Sequence, residues 1–272
     1  MGSKDGNKRI HPAWQRHNRS LRSVNAFILR WTRKLGPMLL RRRETICITA
    51  MPKSGSTLLM EAMMRCSGYY PYRLSDTLLL DQNFMESRLI DSRSFKSIST
   101  THTRATKVNL ERMRTYHIRP VVLVRDIFDV AVSMRDHIHR ESIWNPTFSP
   151  DPAFLDMTAE RQLDAVIDLA IPWNLFFVAE WQRSGMDVLN LRYEELIGDP
   201  VDALQRILDF YGIDKPRMDP ATAWAEAADS GRTRRNVGRP GRGADLFSEA
   251  QVQKVRDLAA YFPNTDFSSI GL

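Results

Sequence analysis

One stretch, residues 46–60, constrains the fold more than any other part of the chain. It begins with an apolar, β-branched run, residues 46–50, that predicts a buried strand. Pro52 and Gly55 interrupt the run and favour a tight turn, and residues 58–64 then place apolar side chains at helical spacing. A strand, a short turn and a helix in this order direct several backbone N–H groups toward one point. This arrangement predicts an anion-binding site at the start of the helix.

The turn has the sequence Pro-Lys-Ser-Gly-Ser-Thr over residues 52–57. It differs from the kinase-type phosphate loop, because Lys53 precedes Gly55 instead of following a second glycine. Lys53 therefore approaches a bound group from the strand side. Taken by itself, the motif is equally compatible with an ordinary strand-to-helix turn that carries a solvated lysine.

The length and cysteine content of the chain favour an ordinary globular domain. A chain of 272 residues can bury a large core, and no run of about 18 apolar residues predicts a transmembrane helix. The basic, polar start of the chain also lacks the apolar centre of a secretory signal peptide. Cys47 lies in the predicted strand and Cys66 near the end of the following helix, so we expect buried free thiols instead of a disulfide.

The positive charge of the chain is concentrated at its beginning. Residues 1–43 contain 12 Lys or Arg and one Asp, whereas the other 229 residues carry a net charge of −4. We therefore expect a basic arm and no nucleic-acid-binding domain. Apolar residues between 21 and 35 recur at helical spacing, which predicts an amphipathic helix. That helix either contacts an anionic membrane through residues 16–43 or holds a large anionic acceptor. The alternative is that it packs on the domain with its arginines in water.

A histidine follows a short predicted strand in the middle of the chain. Residues 95–99 predict this strand, and His102 comes directly after it. We call the turn at residues 52–57 the anion loop. If the strand before His102 joins the same sheet as that loop, His102 lies at the carboxyl edge of the sheet, where ligands bind in open α/β sheets. An imidazole at this place can remove a proton from an acceptor group near neutral pH.

The clearest buried strand lies within residues 119–126 and ends at Arg125. Asp126 or Asp129 can cap the helix predicted after it. Ser133 lies eight residues beyond Arg125, two turns into that helix, so both side chains can reach one phosphate. The alternative for Arg125 is a salt bridge with a neighbouring acid.

Together these segments resemble the sulfotransferases that use 3′-phosphoadenosine 5′-phosphosulfate (PAPS). Pro-Lys-Ser-Gly-Ser-Thr-Leu-Leu from Pro52 resembles the 5′-phosphosulfate loop of that family. Val-Arg-Asp-Ile-Phe-Asp-Val-Ala-Val-Ser resembles its 3′-phosphate segment, and Thr101-His102 matches part of its Lys-Thr-His-Leu-Pro motif. A strand-end Tyr-Glu-Glu-Leu and a Gly-x-x-Gly from Gly238 follow in the family's order. The matches extend from residue 52 to about residue 250.

The resemblance implies a role for each matched position. Lys53 would neutralise charge on the bridging oxygen, and His102 would accept the acceptor proton. Some carbohydrate and protein sulfotransferases use a carboxylate base soon after the loop helix, so Asp76 is the rival of His102. The implied nucleotide-binding residues are Lys53, Ser54, Gly55, Ser56, Thr57, Arg125, Ser133, Tyr193, Trp224, Arg235, Gly238 and Arg239.

Two departures from the family pattern affect these assignments. Thr100 stands where the family often has a lysine, and no Leu-Pro follows His102. In the last segment, residues 236–237 are Asn-Val where the family has Arg-Lys. Arg234, Arg235 or Arg239 would have to supply that charge.

We therefore expect a single P-loop-type α/β domain, residues 44–272, with a central parallel sheet flanked by helices and preceded by the basic arm. The expected activity is sulfuryl transfer from PAPS to a hydroxyl or amine of a small-molecule, lipid or carbohydrate acceptor, with no metal ion. The expected location is cytoplasmic, with peripheral membrane contact as an option for the arm.

Two other functions remain open at this point. A P-loop kinase would bind ATP with magnesium and could use Asp126 as a metal ligand, although the position of Lys53 argues against it. A non-catalytic protein would bind an anionic polymer or membrane through residues 16–43.

Overall fold

The computed structural model describes residues 44–75, 81–141, 147–231, 241–243 and 245–272. The chain divides into two units, Met1–Arg42 and Arg43–Leu272, and every described residue belongs to the second. The predicted basic arm, including its helix, therefore lies outside the described residues.

A five-stranded parallel sheet forms the centre of this unit, as the sequence predicted. In chain order the strands are β1 (Thr45–Ala50), β2 (Tyr70–Pro71), β3 (Ser97–Thr101), β4 (Pro120–Val124) and β5 (Leu189–Arg192). Their order across the sheet is β2-β3-β1-β4-β5. In the middle strand, Ile48 pairs with Thr100 of β3 on one side and with Val121 of β4 on the other. Because every pairing is parallel, the carboxyl ends of all five strands lie at one edge.

Helices cover both faces of the sheet. The described helices are α1 (Ser56–Ser67), α2 (Glu86–Ser92), α3 (Lys107–Tyr116), α4 (Ile127–Arg140), α5 (Ala159–Leu169), α6 (Ile171–Gln182), α7 (Tyr193–Gly198), α8 (Pro200–Phe210), α9 (Pro220–Asp229) and α10 (Glu249–Ala259), with short 3₁₀ helices at Pro152–Asp156 and Ser268–Ile270. Side chains alternate along β1, so Ile46 and Ile48 pack with α1, α8 and α9, whereas Cys47 packs with α4, α5 and α6. The result is the predicted three-layer α/β architecture.

Apolar residues recur at helical spacing over residues 159–183, which predicts one long helix, but the structure interrupts it. It divides at Ala170 into α5 and α6, with a proline in the first turn of the second helix, where a missing N–H costs nothing. Among the described residues, Ala159–Gln182 is the one stretch apolar and long enough to cross a membrane by composition. Of its most apolar window, 61% is buried inside the protein, which is typical of core helices.

Both cysteines are buried free thiols, as predicted. Burial raises the pKa of Cys47 to about 12 and that of Cys66 to about 11. Neither side chain is therefore a thiolate near neutral pH, and neither can act as a nucleophile there.

Candidate active site

The turn after β1 has an unusual backbone. Lys53 has a φ of 68° and Gly55 a φ of 85°, so two left-handed residues flank Ser54. A lysine in this region is strained by roughly 1–3 kcal/mol, and such strain is concentrated at functional sites. Ser54 is fully buried, and its hydroxyl donates to the carbonyl of Met51 at 2.6 Å. The N–H of Ser54 also donates to the carbonyl of Met51, at 3.3 Å, inside the turn. The contact of Ser54 with a phosphate, which the family resemblance implied, stays a prediction.

Helix α1 begins at this turn and presents its N-terminus to the site. The first bond of the helix runs from the N–H of Leu59 to the carbonyl of Gly55 at 3.1 Å, so the N–H groups of residues 56–58 precede the intrahelical ladder. The first turn contains no acidic residue, and no side chain caps it. Ser56 and Thr57 thus lie where the helix dipole favours an anion.

The ring of Tyr193 packs against Gly55 in this turn. An added Cβ at Gly55 would lie 2.8 Å from two carbons of the Tyr193 ring, so only glycine fits between them. Tyr193 is 5% exposed and begins α7 directly after β5. The sequence comparison implied an adenine contact for this tyrosine; its position shows a packing role against the loop, and the adenine contact stays a prediction.

Arg125 links the two predicted phosphate-binding segments. Its Nη1 donates to the carbonyl oxygen of Lys53 at 3.0 Å, and its Nη2 donates to Asp129 Oδ2 at 3.1 Å. The Arg125 Cζ lies 4.2 Å from the centre of the Tyr193 ring, which is a cation–π distance. The side chain is 8% exposed, and its Nε is buried with no hydrogen-bond partner among the described residues.

Asp129 holds Arg125 in place and connects it to the C-terminal part of the chain. Its carboxylate is fully buried and accepts from the N–H groups of Gly241 at 2.9 Å and Gly243 at 2.8 Å. Asp126, not Asp129, caps α4 by accepting from the N–H groups of Phe128 and Asp129. The salt bridge considered for Arg125 therefore exists, and it orients the guanidinium beside the loop.

Ser133 lies two turns into α4, on the same helix as Asp129, and is 8% exposed. Because β1 and β4 are adjacent and parallel, the anion loop and the Arg125 segment lie at the same edge of the sheet. The predicted anion site at Lys53 and the predicted phosphate site at Arg125 are therefore neighbours and do not lie on opposite sides of the sheet.

His102 follows β3 at this same edge. Its Nδ1 lies 2.8 Å from the carbonyl oxygen of Ala50, the last residue of β1. Since a carbonyl can only accept, the hydrogen belongs to Nδ1, and the lone pair of the neutral ring is left on Nε2. His102 is thus held in the tautomer that a general base at Nε2 requires.

The carboxylate that lies near His102 is Asp81. Its Oδ2 is 3.9 Å from His102 Nε2, and the residue is 8% exposed. Burial raises the pKa of Asp81, while the charges of His102 and Arg73 oppose this rise. The sequence offered no signal that separates Asp81 from Asp76 or Glu86, because all three follow the loop helix among leucines.

The remaining predicted residues lie elsewhere or outside the described part of the chain. Trp224 is half-buried on α9, where it packs on the core shared with α1. Asp76, Arg235, Gly238 and Arg239 lie outside the described residues, so their assignments stay predictions. Within the described ranges, no group of three His, Cys, Asp or Glu side chains forms a candidate metal site.

The fold and this edge of the sheet define an α/β protein in which the strand-to-helix turn at Lys53 lies beside a buried arginine. The family model described as "Sulfotransferase domain" matches residues 43–226, which is more than half of the chain. The protein therefore belongs to the sulfotransferase family. No curated protein sequence matches it significantly.

Solved structures support the same fold. The mouse sulfotransferase SULT7A1 was crystallised with adenosine 3′,5′-bisphosphate (PAP) and is 19% identical in sequence to this chain. The two structures align with a TM-score of 0.62 over 84% of this chain and 87% of the mouse chain. Retinol dehydratase with androsterone and inactive cofactor PAP is 16% identical, with a TM-score of 0.54 over 82% and 81% of the two chains. Its complex with retinol and PAP gives 16% identity and a TM-score of 0.53 over 83% of each chain.

Proposed function

We propose that this protein transfers a sulfuryl group from PAPS to the hydroxyl or amine of a small acceptor in the cytoplasm. One observation carries the proposal: the anion loop and Arg125 are joined by the hydrogen bond from Arg125 Nη1 to Lys53. Two anion-binding groups held this closely on adjacent strands suit a nucleotide with phosphate groups on both sides of its ribose. Family membership and neighbours crystallised with PAP support the same choice.

The residues present fit such a donor. Its 5′ end would be held by the N–H groups at the start of α1, which includes Ser56 and Thr57, with Lys53 beside them. The 3′-phosphate would be held by Arg125 and Ser133. The Nε of Arg125 has no hydrogen-bond partner among the described residues. PAPS supplies a sulfuryl group that is activated by its bond to phosphate.

The acid–base work falls to His102 and Lys53. His102 Nε2 accepts the proton of the acceptor as the nucleophile attacks sulfur, and the Nδ1 bond to Ala50 keeps the ring oriented. Lys53 neutralises the charge that grows on the departing phosphate oxygen. As in phosphoryl transfer, positioning and electrostatics then supply most of the catalysis.

The nucleotide assignment is tested by thermal shift with adenosine 3′,5′-bisphosphate (PAP), compared with ATP plus magnesium. We expect PAP to raise the Tm and ATP plus magnesium to do so much less. Arg125→Ala should abolish most of the PAP shift. The matched control is Arg119→Ala, because Arg119 precedes β4 at its opposite end and pairs with exposed Asp187. Stabilisation by ATP plus magnesium alone would instead favour the kinase hypothesis.

The base assignment is tested by His102→Ala in a transfer assay with PAPS. Turnover should fall by roughly 10²–10⁴-fold, because general base catalysis is worth about that much, while the PAP thermal shift is retained. Near-normal turnover would exclude His102 as the base and move the role to a carboxylate, with Asp76 and Asp81 as the residues to substitute next.

A further inference from the structure

The carboxylate of Asp81 lies on the reacting side of His102. In a catalytic triad the carboxylate accepts from the imidazole nitrogen that faces away from the substrate. Here that nitrogen, Nδ1, is already bonded to the carbonyl of Ala50, and Asp81 faces Nε2 instead. Asp81 therefore occupies the side from which an acceptor must approach.

The separation of these two groups fits a shared ligand better than a direct bond. His102 Nε2 and Asp81 Oδ2 are 3.9 Å apart, too far for a hydrogen bond between them. A donor atom at an ordinary hydrogen-bond distance of about 2.8 Å can contact both. The other oxygen, Oδ1, is buried and has no hydrogen-bond partner among the described residues.

The position of Asp81 is built into the fold. The hydroxyl of Thr103 donates to the main-chain carbonyl of Asp81 at 3.4 Å. Thr103 follows His102 in sequence, so this bond connects Asp81 to the histidine's segment. Asn109 is fully buried and donates to the carbonyls of Gln82 and Arg104, each at 3.0 Å, which joins the segment after Asp81 to the turn after His102. These contacts hold the main chain at Asp81 next to the segment that follows His102.

We propose that Asp81 and His102 together bind the reacting end of the acceptor and select acceptors that carry two donor hydrogens there. This inference rests on the proposed sulfuryl transfer. One hydrogen is donated to His102 Nε2 and the other to Asp81 Oδ2. A vicinal diol places them on adjacent oxygens, as in catechol, and a primary amine places them on one nitrogen. A simple hydroxyl offers only one.

The acceptor oxygen or nitrogen forms a bond to sulfur, and the bond between sulfur and the bridging phosphate oxygen breaks. The proton of the nucleophile passes to His102 Nε2, and the electron pair of the broken bond stays on the phosphate oxygen beside Lys53. Asp81 holds the second hydrogen throughout and undergoes no net change.

The burial of Asp81 agrees with a need for such a donor. Desolvation raises its pKa, which means that the ionised carboxylate lacks full compensation from the protein. Among the described residues, the charged groups that act on its pKa are His102 and Arg73. A second hydrogen-bond donor from the acceptor supplies part of the missing compensation.

The test compares kcat/KM with PAPS for four small aromatic probes. Phenol and 2-methoxyphenol carry one donor hydrogen; catechol and aniline carry two, on two atoms or on one. We expect catechol or aniline to exceed the one-donor probes by about tenfold or more, because hydrogen bonds to a charged group are worth that much. Which of the two is preferred distinguishes a diol from an amine.

Variants at Asp81 then test whether this residue causes the preference for probes with two donor hydrogens. Asp81→Ala should remove it without changing the KM for PAPS, and Asp81→Asn, which keeps an accepting oxygen, should retain part of it. The control is Asp91→Ala, since Asp91 is an exposed carboxylate that accepts from the Tyr72 hydroxyl, and it should keep the full preference. A PAP thermal shift verifies that each variant folds.

The outcomes separate this inference from the proposed function. If PAP does not raise the Tm of the unmodified protein, the proposed function itself is refuted. A normal PAP shift with equal kcat/KM for one-donor and two-donor probes overturns only the role of Asp81. An unchanged preference in Asp81→Ala, or no transfer to any of the four probes despite a normal PAP shift, overturns it as well.

Discussion

Replacing Gly55 by alanine should damage the anion loop more than an equivalent change at another left-handed glycine. Gly55 has a φ of 85°, and a Cβ there would lie 2.8 Å from the Tyr193 ring. Gly185 provides the matched control, because its φ is 60° and an added Cβ would meet nothing within 4 Å. The comparison separates backbone strain from steric overlap.

The expected magnitudes follow from these two terms. An alanine in the left-handed region costs roughly 1–2 kcal/mol, and this term applies to both variants. Overpacking against a buried ring adds roughly 1–3 kcal/mol at Gly55 alone. We therefore expect Gly185→Ala to lower the free energy of unfolding by about 1–2 kcal/mol and Gly55→Ala by about 2–5 kcal/mol.

Urea unfolding measures the two free energies, and isothermal titration with PAP measures the effect on the loop. The ring of Tyr193 cannot retreat easily, because it is stacked on Arg125. Gly55→Ala should therefore displace the loop and weaken PAP binding, whereas Gly185→Ala should leave PAP binding intact.

A double variant tests whether the Tyr193 ring is the cause. Tyr193→Ala removes the overlapping atoms, so the added cost of Gly55→Ala should shrink to that of Gly185→Ala in this background. Equal destabilisation by Gly55→Ala and Gly185→Ala in the unmodified protein would refute the steric argument.

Two further predictions concern buried or paired carboxylates. Asp129→Ala leaves Arg125 buried without its partner and should lower the free energy of unfolding by about 3–5 kcal/mol in urea titration; a loss no larger than that of Asp187→Ala, an exposed pair, would contradict it. Burial by itself would raise the pKa of Asp136. Hydrogen bonds from Arg242 and Arg135 outweigh that effect and hold this pKa below its usual value. The stability advantage over Asp136→Asn should be full above about pH 4 and decline as acid protonates the native carboxylate; a Tm difference independent of pH would exclude this.

The predictable part of the fold came from patterns that act over short distances. The apolar runs before Met51 and Arg125 form β1 and β4, because buried parallel strands need continuous apolar sequence. The sequence Phe-Ser-Glu-Ala over residues 247–250 is typical of a capped helix start, and α10 begins there with a capping box at Ser248. The interruption at Ala170 was missed, because apolar side chains continue at helical spacing across it.

Other features depend on contacts between distant parts of the chain. The edge strand Tyr70–Pro71 is exposed and has no alternating pattern; only its pairing with Ser97 and Ile98 defines it. Asp81 comes to His102 through the bonds of Thr103 and Asn109, which no local pattern indicates. The placement of Arg125 against the carbonyl of Lys53 likewise required the adjacency of β1 and β4, whereas the arginine itself was identifiable from its position at a strand end.

The strand order has a practical consequence for protein engineering. Strand β1 divides the sheet, so the Asp81–His102 pair follows the β2-β3 side, and Arg125 with Tyr193 follows the β4-β5 side. Grafting residues 70–104 from another family member would therefore exchange the proposed acceptor side and keep Arg125 and Tyr193 unchanged. On the proposed function, chimaeras cut at these points would change the acceptor and keep the proposed donor-binding segments.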